Sequence, residues 1–247
     1  MRIGFFSDIH GNREALDASL AHAGKQRVEK FVFLGDLVGY GADPVYVVER
    51  VARLVEEGAF AILGNHDEAA VSGVGDGMNE YARAAIEWTA RQLDGASAAF
   101  VRALPMSAMD DDRLYVHAEA QSPKSWNYIT ETMGAERSMR ATEARVTLCG
   151  HVHRPQLYHM SRTKPPGFFL PQAGTPIPLI GRRKWLAVMG SVGQPRDRNP
   201  AAAYAVFDTS ANELTYQRAP YDIEKAAAKI HAAGLPQMLA ARLFIGR

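Results

Sequence analysis

Two histidines stand one residue apart in the stretch VTLCGHVHRP, residues 146–155. His151 and His153 follow a short apolar run and a glycine, which is where a β-strand would end. In extended backbone, side chains two residues apart point the same way, so both imidazoles could reach one site beyond the sheet. The pair alone fits a polar turn as well as a metal site, and the rest of the chain has to decide.

Similar polar side chains follow four other predicted strands. The sequences are SDIHGN, GDLVGYG, GNHDE and HAEA, in chain order. Any one of them could be an ordinary turn, because turns recruit Asp, Asn and Gly. All of them falling at strand ends favours a shared site. With GHVH they supply Asp8, His10, Asp36, Asn65, His66, Asp67, His117, His151 and His153.

The elements before these motifs predict a sheet that begins with parallel strands. The apolar runs RIGFF, KFVFL and AFAIL alternate with two helical patterns, an order typical of βαβ units. Asp8, Asp36 and Asn65 are 28 and 29 residues apart, about the length of one such unit. This spacing delivers the three side chains to the carboxyl edge of neighbouring strands, where open α/β sheets bind ligands.

In the second part of the sequence the regular alternation of strands and helices ends. A helical pattern over about residues 79–104, interrupted near Gly95, precedes short strands that we expect to be mixed or antiparallel. No repeat, low-complexity tract or linker divides the chain. We therefore expect one domain over residues 1–247, with the chemistry between residues 8 and 153 and closing strands and helices over residues 185–247.

Composition and charge restrict the partners and the compartment. The formal net charge of +1 argues against an extended nucleic-acid surface. The only cysteine, Cys149, allows no intramolecular disulfide, as is typical of a reducing cytosol. No stretch has the ~18 apolar residues of a membrane span, and the N-terminus has no signal-peptide core. We expect a cytoplasmic protein without a membrane partner.

Seven of the polar residues are candidate metal ligands, which is more than one transition-metal ion takes. Imidazole, carboxylate and amide groups without thiolate suit Mn, Fe or Zn. We therefore expect two divalent transition-metal ions that share one carboxylate, with His151 and His153 facing different ions. The candidate ligands are Asp8, His10, Asp36, Asn65, His117, His151 and His153.

Taken in order, the motifs resemble those of the calcineurin-like metallophosphoesterase superfamily. D-x-H-G-N, G-D-x-x-G-Y-G, G-N-H-D, a lone later histidine and G-H-x-H carry the resemblance, which covers about residues 2–208. The stretch GSVGQPRD, residues 190–197, looks like its bacterial branch of small single-domain members. The resemblance implies an α/β fold, a four-layer α/β/β/α sandwich with two central mixed sheets and a dimetal site at one edge.

The resemblance also implies a role for each candidate. His66 would be the catalytic histidine beside the phosphate, and Asp67 would hold its imidazole in place. The nucleophile would be a metal-bridging hydroxide that attacks a small phosphomonoester or phosphodiester substrate. The first metal ion would be bound by Asp8, His10 and His153, and the second by Asn65, His117 and His151, with Asp36 bridging.

The sequence departs from the superfamily at substrate-facing positions. Protein Ser/Thr phosphatases and dinucleoside polyphosphate hydrolases usually carry an arginine within G-D-x-x-x-R-G, where this chain has GDLVGYG. Both functions therefore stay as weaker alternatives. After His117, close relatives often have Gly-Ser-Pro and this chain has Ala-Glu-Ala, so we expect a different pocket wall.

Three questions stay open on the sequence alone. Asn12 could contact substrate or cap a helix, and Arg196 could replace the missing cation or pair with Asp197. A non-catalytic metal-binding scaffold is the alternative from another class of protein. It is disfavoured because members that became scaffolds lose the histidine of G-N-H or several ligands, and this chain keeps them.

Overall fold

The computed structural model describes residues 1–75, 77–161, 163 and 165–247. Twelve strands lie in the described residues: β1 (Arg2–Phe6), β2 (Lys30–Phe33), β3 (Phe60–Ala61), β4 (Ser107–Asp110), β5 (Arg113–Val116), β6 (Val146–Cys149), β7 (Pro155–Met160), β8 (Gly167–Phe169), β9 (Pro176–Pro178), β10 (Lys184–Met189), β11 (Ala202–Asp208) and β12 (Glu213–Ala219). The helices there are α1 (Arg13–Lys25), α2 (Pro44–Glu56), α3 (Asn65–Ser72), α4 (Glu80–Gln92), α5 (Gly95–Ala103), α6 (Thr132–Arg140), α7 (Ile223–Ala232) and α8 (Gln237–Ile245), with one 3₁₀ turn at Pro123–Ser125.

The strands form two mixed sheets of six. The first sheet has the order β3-β2-β1-β11-β12-β9, and the second has the order β4-β5-β6-β10-β7-β8. β1, β2 and β3 are parallel, as the βαβ pattern predicts, and β11 pairs with β1 in the antiparallel direction. In the second sheet β5, β6 and β10 are parallel, while β4, β7 and β8 run antiparallel to their neighbours.

Alternation of side chains along the strands builds the layers. In β1, Ile3 and Phe5 belong to a buried cluster that also contains Tyr115 of the second sheet, so they lie between the sheets. Phe6 points the other way, into a cluster with residues of α1 and α2. Met139 of α6 packs in a third cluster on the outer face of the second sheet. The order helix, sheet, sheet, helix confirms the predicted four-layer sandwich.

Local chemistry explains where the first helices begin. The Asn12 side chain accepts a hydrogen bond from the Ala15 N–H at 3.1 Å and so caps α1, while α2 starts at Pro44, whose missing N–H would have been unpaired there. The predicted interruption of the pattern over residues 79–104 is confirmed as the break between α4 and α5. No helix in the described part of the chain has the length and apolar character needed to cross a membrane.

Three elements were not predicted. The first half of α3 consists of residues of the GNHDE motif, so polar groups mask its periodicity. α6 is a short helix whose mean hydropathy is low, and β9 is a three-residue strand with two prolines at the end of its sheet. β3 is shorter than the apolar run AFAIL suggests, since only Phe60–Ala61 are paired.

Candidate active site

The five polar motifs meet at the carboxyl ends of strands from both sheets. Asp8 and Asp36 follow β1 and β2, and Asn65 begins α3 after β3. His117 and His151 follow β5 and β6 of the second sheet. Asn65 is half-buried and the other six candidate ligands are buried. The two sheets therefore contribute to one site, as the strand-end pattern predicts.

Most of the candidate ligands have left-handed backbone. Such a φ costs a residue with a Cβ roughly 1–2 kcal/mol, although Asp and His tolerate it better than most residues. The expectation of extended backbone around GHVH is wrong, since both of its histidines have φ above +60°. Strain of this kind persists where the surrounding structure fixes it, often at functional sites. The φ angles are 54° for Asp8, 51° for His10, 53° for Asp36, 65° for His151 and 62° for His153.

The first half of the site contains Asp8, His10 and His153. The Nε2 atoms of the two imidazoles are 3.1 Å apart, and Asp8 Oδ1 lies 3.3 Å from His153 Nε2. Ligand atoms of all three side chains lie within 4.8 Å of one another. This is the set that the resemblance assigns to the first metal ion.

The second half contains Asn65, His117 and His151. His117 Nε2 lies 3.2 Å from Asn65 Oδ1 and 3.2 Å from His151 Nδ1. His151 and His153 thus contribute to different halves of the site, although they are only two residues apart.

Asp36 lies between the two halves. Its Oδ2 is 3.7 Å from His10 Nε2 and 3.4 Å from His117 Nε2. Its Oδ1 accepts a hydrogen bond from the His66 N–H at 2.8 Å, which fixes the orientation of the carboxylate. The close approach requires Gly64, because a Cβ there would lie 2.2 Å from Asp36 Oδ1.

The ring nitrogens facing away from the site fix the tautomers of three histidines. Each Nδ1 lies within hydrogen-bond distance of a backbone carbonyl, which can only accept, so Nδ1 carries the proton and a neutral ring has its lone pair on Nε2. The pairs are His10 with Val38 O at 3.1 Å, His117 with Leu34 O at 2.7 Å and His153 with Gln194 O at 2.7 Å. This arrangement is typical of metal-ligating histidines.

The positions of these Nε2 lone pairs indicate whether the side chains suit metal ions. Lone pairs of neutral His10 and His153 that face each other at 3.1 Å repel, and a cation between them turns the repulsion into two bonds. The donor set of nitrogen and oxygen atoms without thiolate also suits Mn, Fe or Zn. The residues therefore fit divalent metal ions.

The pKa values of the two buried carboxyl groups also indicate a site for cations. Burial by itself raises the pKa of Asp8 and Asp36, but His153 beside Asp8 and His117 beside Asp36 outweigh it and hold both pKa values below the usual range. Burial opposes the charged form of His117, yet Asp36 raises the pKa of that imidazole to about 9. Two buried anions at one site require compensating positive charge.

His66 lies beside His10 of the first half and Asp36 between the halves. Its ring centroid is 4.8 Å from that of His10 and 4.5 Å from that of Tyr40, and its Nδ1 is buried without a hydrogen-bond partner among the described residues. Burial is the main cause that lowers the pKa of His66 to about 4. Gly39 packs against this ring, since a Cβ there would lie 2.5 Å from Nδ1.

The expectation that Asp67 holds the His66 imidazole is wrong. Asp67 Oδ1 accepts from the Val38 N–H and Oδ2 from the Gly64 N–H, both at 3.1 Å. Adjacent residues of a helix do not face each other, which explains why the two side chains diverge in α3. Burial, and then Asp36, raises the pKa of Asp67 to about 7. Asp67 ties the start of α3 to the loop after β2.

Asn12 is hydrogen-bonded within the fold, whereas Arg196 lacks the acidic partner that its sequence offered. Both polar atoms of the Asn12 side chain bond within the fold, because Oδ1 caps α1 and Nδ2 donates to Gly193 O at 2.9 Å. Arg196 does not pair with Asp197, so that alternative is wrong, and Asp197 pairs with Arg218.

Arg196 borders the site through Tyr40. Its Nη2 donates to Gln194 Oε1 at 3.0 Å and lies 3.4 Å from the Tyr40 hydroxyl, and its buried Nε has no partner among the described residues. A neutral acceptor and a phenol leave the guanidinium charge without an acid partner in these contacts. The side chain is therefore free to neutralise an anion.

A cleft of about 460 Å³ opens beside the ligand cluster, and the sequence did not predict its walls. Its lining includes Asn65, His66 and His151 of the cluster, together with the aromatic residues Trp126 and Tyr128. Of the aromatic residues that line the cleft, Tyr40 could have been found from the sequence, because it lies within the GDLVGYG motif. Trp126 and Tyr128, in the loop after the 3₁₀ turn, had no such signal, because only the path of a long loop brings them to the site.

Comparison with known proteins identifies similar chains. Residues 1–212 match the family model described as a calcineurin-like phosphoesterase superfamily domain. A metallophosphoesterase from Sphaerobacter thermophilus is 34% identical, and its crystal structure superposes with a TM-score of 0.89 over 100% of this chain and 99% of that one. An uncharacterized protein from Methanocaldococcus jannaschii is 33% identical over 250 residues, which is 99% of this chain and 98% of that protein.

A more distant structure shares the fold. A hypothetical protein from Pyrococcus horikoshii OT3 is 20% identical and superposes with a TM-score of 0.81, over 100% of this chain and 98% of that one. The whole chain, from β1 to α8, therefore has a counterpart in solved structures.

Proposed function

The chain belongs to the calcineurin-like phosphoesterase superfamily, and we propose that it hydrolyses phosphate esters with two divalent transition-metal ions. By family and fold it is a metal-dependent phosphoric ester hydrolase. The observation that carries the dimetal proposal is the position of Asp36 Oδ2, 3.7 Å from His10 Nε2 and 3.4 Å from His117 Nε2. A carboxylate oxygen flanked by two sets of ligands suits a bridging role.

The proposed ligand sets follow the two halves of the site. Asp36 belongs to both sets, and the nitrogen and oxygen donors suit Mn, Fe or Zn. When bound, the two ions would ionise a water between them and offset the charge of the phosphoryl group. The first set adds Asp8, His10 and His153, and the second adds Asn65, His117 and His151.

We assign His66 the role of protonating the leaving oxygen or stabilising its charge. Its ring lines the cleft and its Nδ1 makes no hydrogen bond among the described residues, so the imidazole is not engaged in holding the fold. The bond from its backbone N–H to Asp36 fixes its position relative to both ligand sets. Asp67 acts on this residue only through the start of α3.

Arg196 is the proposed contact to the substrate phosphate. Its guanidinium lies beside Tyr40, whose ring is 4.5 Å from that of His10, and has a donor without a partner. It would replace the arginine that related phosphatases carry within G-D-x-x-x-R-G. Asn12 is assigned a structural role, because both polar atoms of its side chain are bonded within the fold.

Two further proposals concern the whole chain. A single domain over residues 1–247 is supported by the first sheet, in which β1 from the start of the chain pairs with β11 from near its end. A cytoplasmic location is supported by the composition, with one cysteine that is buried and unpaired.

The test is Mn-supported hydrolysis of bis-p-nitrophenyl phosphate and of p-nitrophenyl phosphate by the wild type and by the His66→Ala variant. We expect turnover of at least one ester and a loss of at least ~100-fold in kcat for the variant, the lower range of general acid–base contributions. His231→Ala, in an exposed position on α7, is the matched control. An inert wild-type protein that still binds two ions would favour the scaffold alternative.

A further inference from the structure

We propose that the leaving group of the substrate carries an aromatic ring, as a nucleoside does, and that this ring stacks in the cleft beside His66. The inference rests on the proposed phosphoesterase function and names its substrate class. A volume of about 460 Å³ falls within the range of small-molecule sites. Because His66 lines the cleft, the group that departs next to this histidine occupies it.

Tyr128 offers one stacking face. Its ring lies on that of His151, with centroids 4.0 Å apart and planes 24° apart, yet 59% of the residue remains exposed. One face of the phenol is therefore covered by a proposed metal ligand while the rest of the ring is open. An open aromatic surface at the edge of a catalytic cleft suits a planar partner.

Trp126 offers a second aromatic surface. Its Nε1–H donates to Glu68 Oε2 at 3.1 Å, and its ring meets that of His117 edge-on at 5.7 Å. The polar end of the indole is thus satisfied inside the protein, and the half-buried ring lines the cleft. Tyr40 contributes a third aromatic side chain to the lining.

The loop that carries these rings is built to hold them. Trp126 has φ of 51°, a left-handed conformation that is unusual for a bulky residue. The buried Glu119 carboxylate fixes the preceding turn by accepting from the Gln121 N–H, the Ser122 N–H and Asn127 Nδ2. Glu119 is the middle residue of Ala-Glu-Ala, which stands where the resemblance has Gly-Ser-Pro. The altered wall is therefore an ordered one.

Charge decides what kind of leaving group fits. Among the described residues that line the cleft there is no lysine or arginine, and Glu68 is acidic. A leaving group with further phosphates or carboxylates would meet repulsion there, whereas a nucleobase would find stacking surfaces and a carboxylate that accepts its N–H groups. Stacking of a base on an aromatic side chain is favourable for every base, since each has a π-face.

The experiment compares esters that differ only in the base, using the full-length Mn-loaded enzyme. The monoester pair is adenosine 5′-monophosphate and ribose 5-phosphate. Their hydrolysis is measured as the release of inorganic phosphate. The diester pair is a thymidine dinucleotide and its analogue whose leaving nucleoside lacks the base. We expect the base-bearing member of the hydrolysed pair to have a kcat/KM at least about ten-fold higher.

Variants of the wall locate the preference. Trp126→Ala and Tyr128→Ala should lower kcat/KM roughly 5- to 100-fold for the base-bearing ester, and lower it less for the base-free ester, with Mn content unchanged. Trp126→Phe and Tyr128→Phe should retain most of the preference. Phe168→Ala, which removes an exposed ring of β8 outside the cleft, should change neither value.

The outcomes separate the two proposals. Equal kcat/KM for both members of a pair, or an equal loss on both in the alanine variants, would overturn the aromatic leaving group and leave the phosphoesterase function standing. Absence of hydrolysis of both pairs and of the nitrophenyl esters, with Mn bound, would overturn the proposed function and this substrate class together.

Discussion

The ligand cluster at the strand ends and the wall loop, residues 118–131, which lines the cleft through Trp126 and Tyr128, are built differently. His117 in the cluster is fully buried, whereas Tyr128 in the wall is 59% exposed. Both regions use left-handed backbone, but they hold it by different means. In the cluster, Asp36 O accepts hydrogen bonds from the N–H groups of Ile9 and His10 at 2.8 and 2.9 Å. In the wall, the Trp126 N–H donates to Pro123 O over a longer distance, 3.4 Å.

The rigid cluster and the adaptable loop serve different purposes, catalysis in the first and substrate selectivity in the second. Strand ends braced by two sheets fix the cluster, and a rigid cluster can hold metal ions at a defined separation. A loop that depends on side-chain contacts such as Trp126 to Glu68 can change without disturbing the sheets. We therefore expect substitutions in the cluster to abolish turnover and substitutions in the wall to alter substrate preference.

The largest expected effect is that of Asp36→Asn. Removing the negative charge between the two ligand sets should lower kcat/KM by about 10³-fold or more, because stabilisation by metal ions contributes several kcal/mol. The variant should also bind fewer than two ions, as measured by elemental analysis. Asp111→Asn is a matched control, since Asp111 has a similar φ of 58° but lies on an exposed turn. Full activity with two ions in Asp36→Asn would contradict the bridging role.

Gly39→Ala tests the region between the cluster and the cleft. The added Cβ would lie 2.5 Å from His66 Nδ1, so the ring must move, and we expect kcat to fall on the order of 10- to 100-fold. The control is Gly58→Ala, which has a comparable φ of 103° and open space around the Cβ. Denaturant unfolding should show a stability loss of about 1 kcal/mol for Gly58→Ala, and a larger loss for Gly39→Ala because its Cβ also displaces a ring. Equal activity in the two would show that the position of His66 is not critical.

Arg196→Ala tests whether the proposed phosphate contact contributes to substrate binding beside the cluster. Loss of one hydrogen bond to a charged group should raise KM about ten-fold, with metal content unchanged. Arg182→Ala removes an exposed arginine outside the cleft and should leave KM as it is. A drop in kcat at constant KM would contradict a binding role for Arg196.

The smallest effect is expected from Glu119→Gln, in the wall. The amide keeps the shape of the side chain but loses the charge that attracts three donors, so the loop should loosen and KM for an aromatic ester should rise a few-fold. Steady-state kinetics with bis-p-nitrophenyl phosphate would measure it, with Glu143→Gln, outside the cleft, as control. A loss as large as that of Asp36→Asn would erase the distinction between the two regions.

The cluster could be predicted from the sequence because its signals are local. Each motif follows an apolar run, and the spacing of Asp8, Asp36 and Asn65 matches the length of a βαβ unit. The fold class follows from the same strand and helix order and from the motif resemblance. β9 escaped prediction because a short proline-containing strand is defined by its pairing with β12 and not by its own sequence.

The wall could not be predicted because its contacts are long-range. Nothing local indicates that Trp126 bonds to Glu68, 58 residues away, or that Tyr128 lies on His151. The role of Asp67 was misassigned for a related reason, since adjacency in sequence suggested contact with His66 and a helix turns adjacent side chains apart.

The dimetal site can be observed by anomalous diffraction from crystals of the Mn-loaded protein, together with its Mn content in solution. We predict two ions per chain, about 3.5–4 Å apart, one on each side of Asp36 Oδ2. A single ion, or ions only on the surface with none between His10 and His117, would contradict the dimetal site.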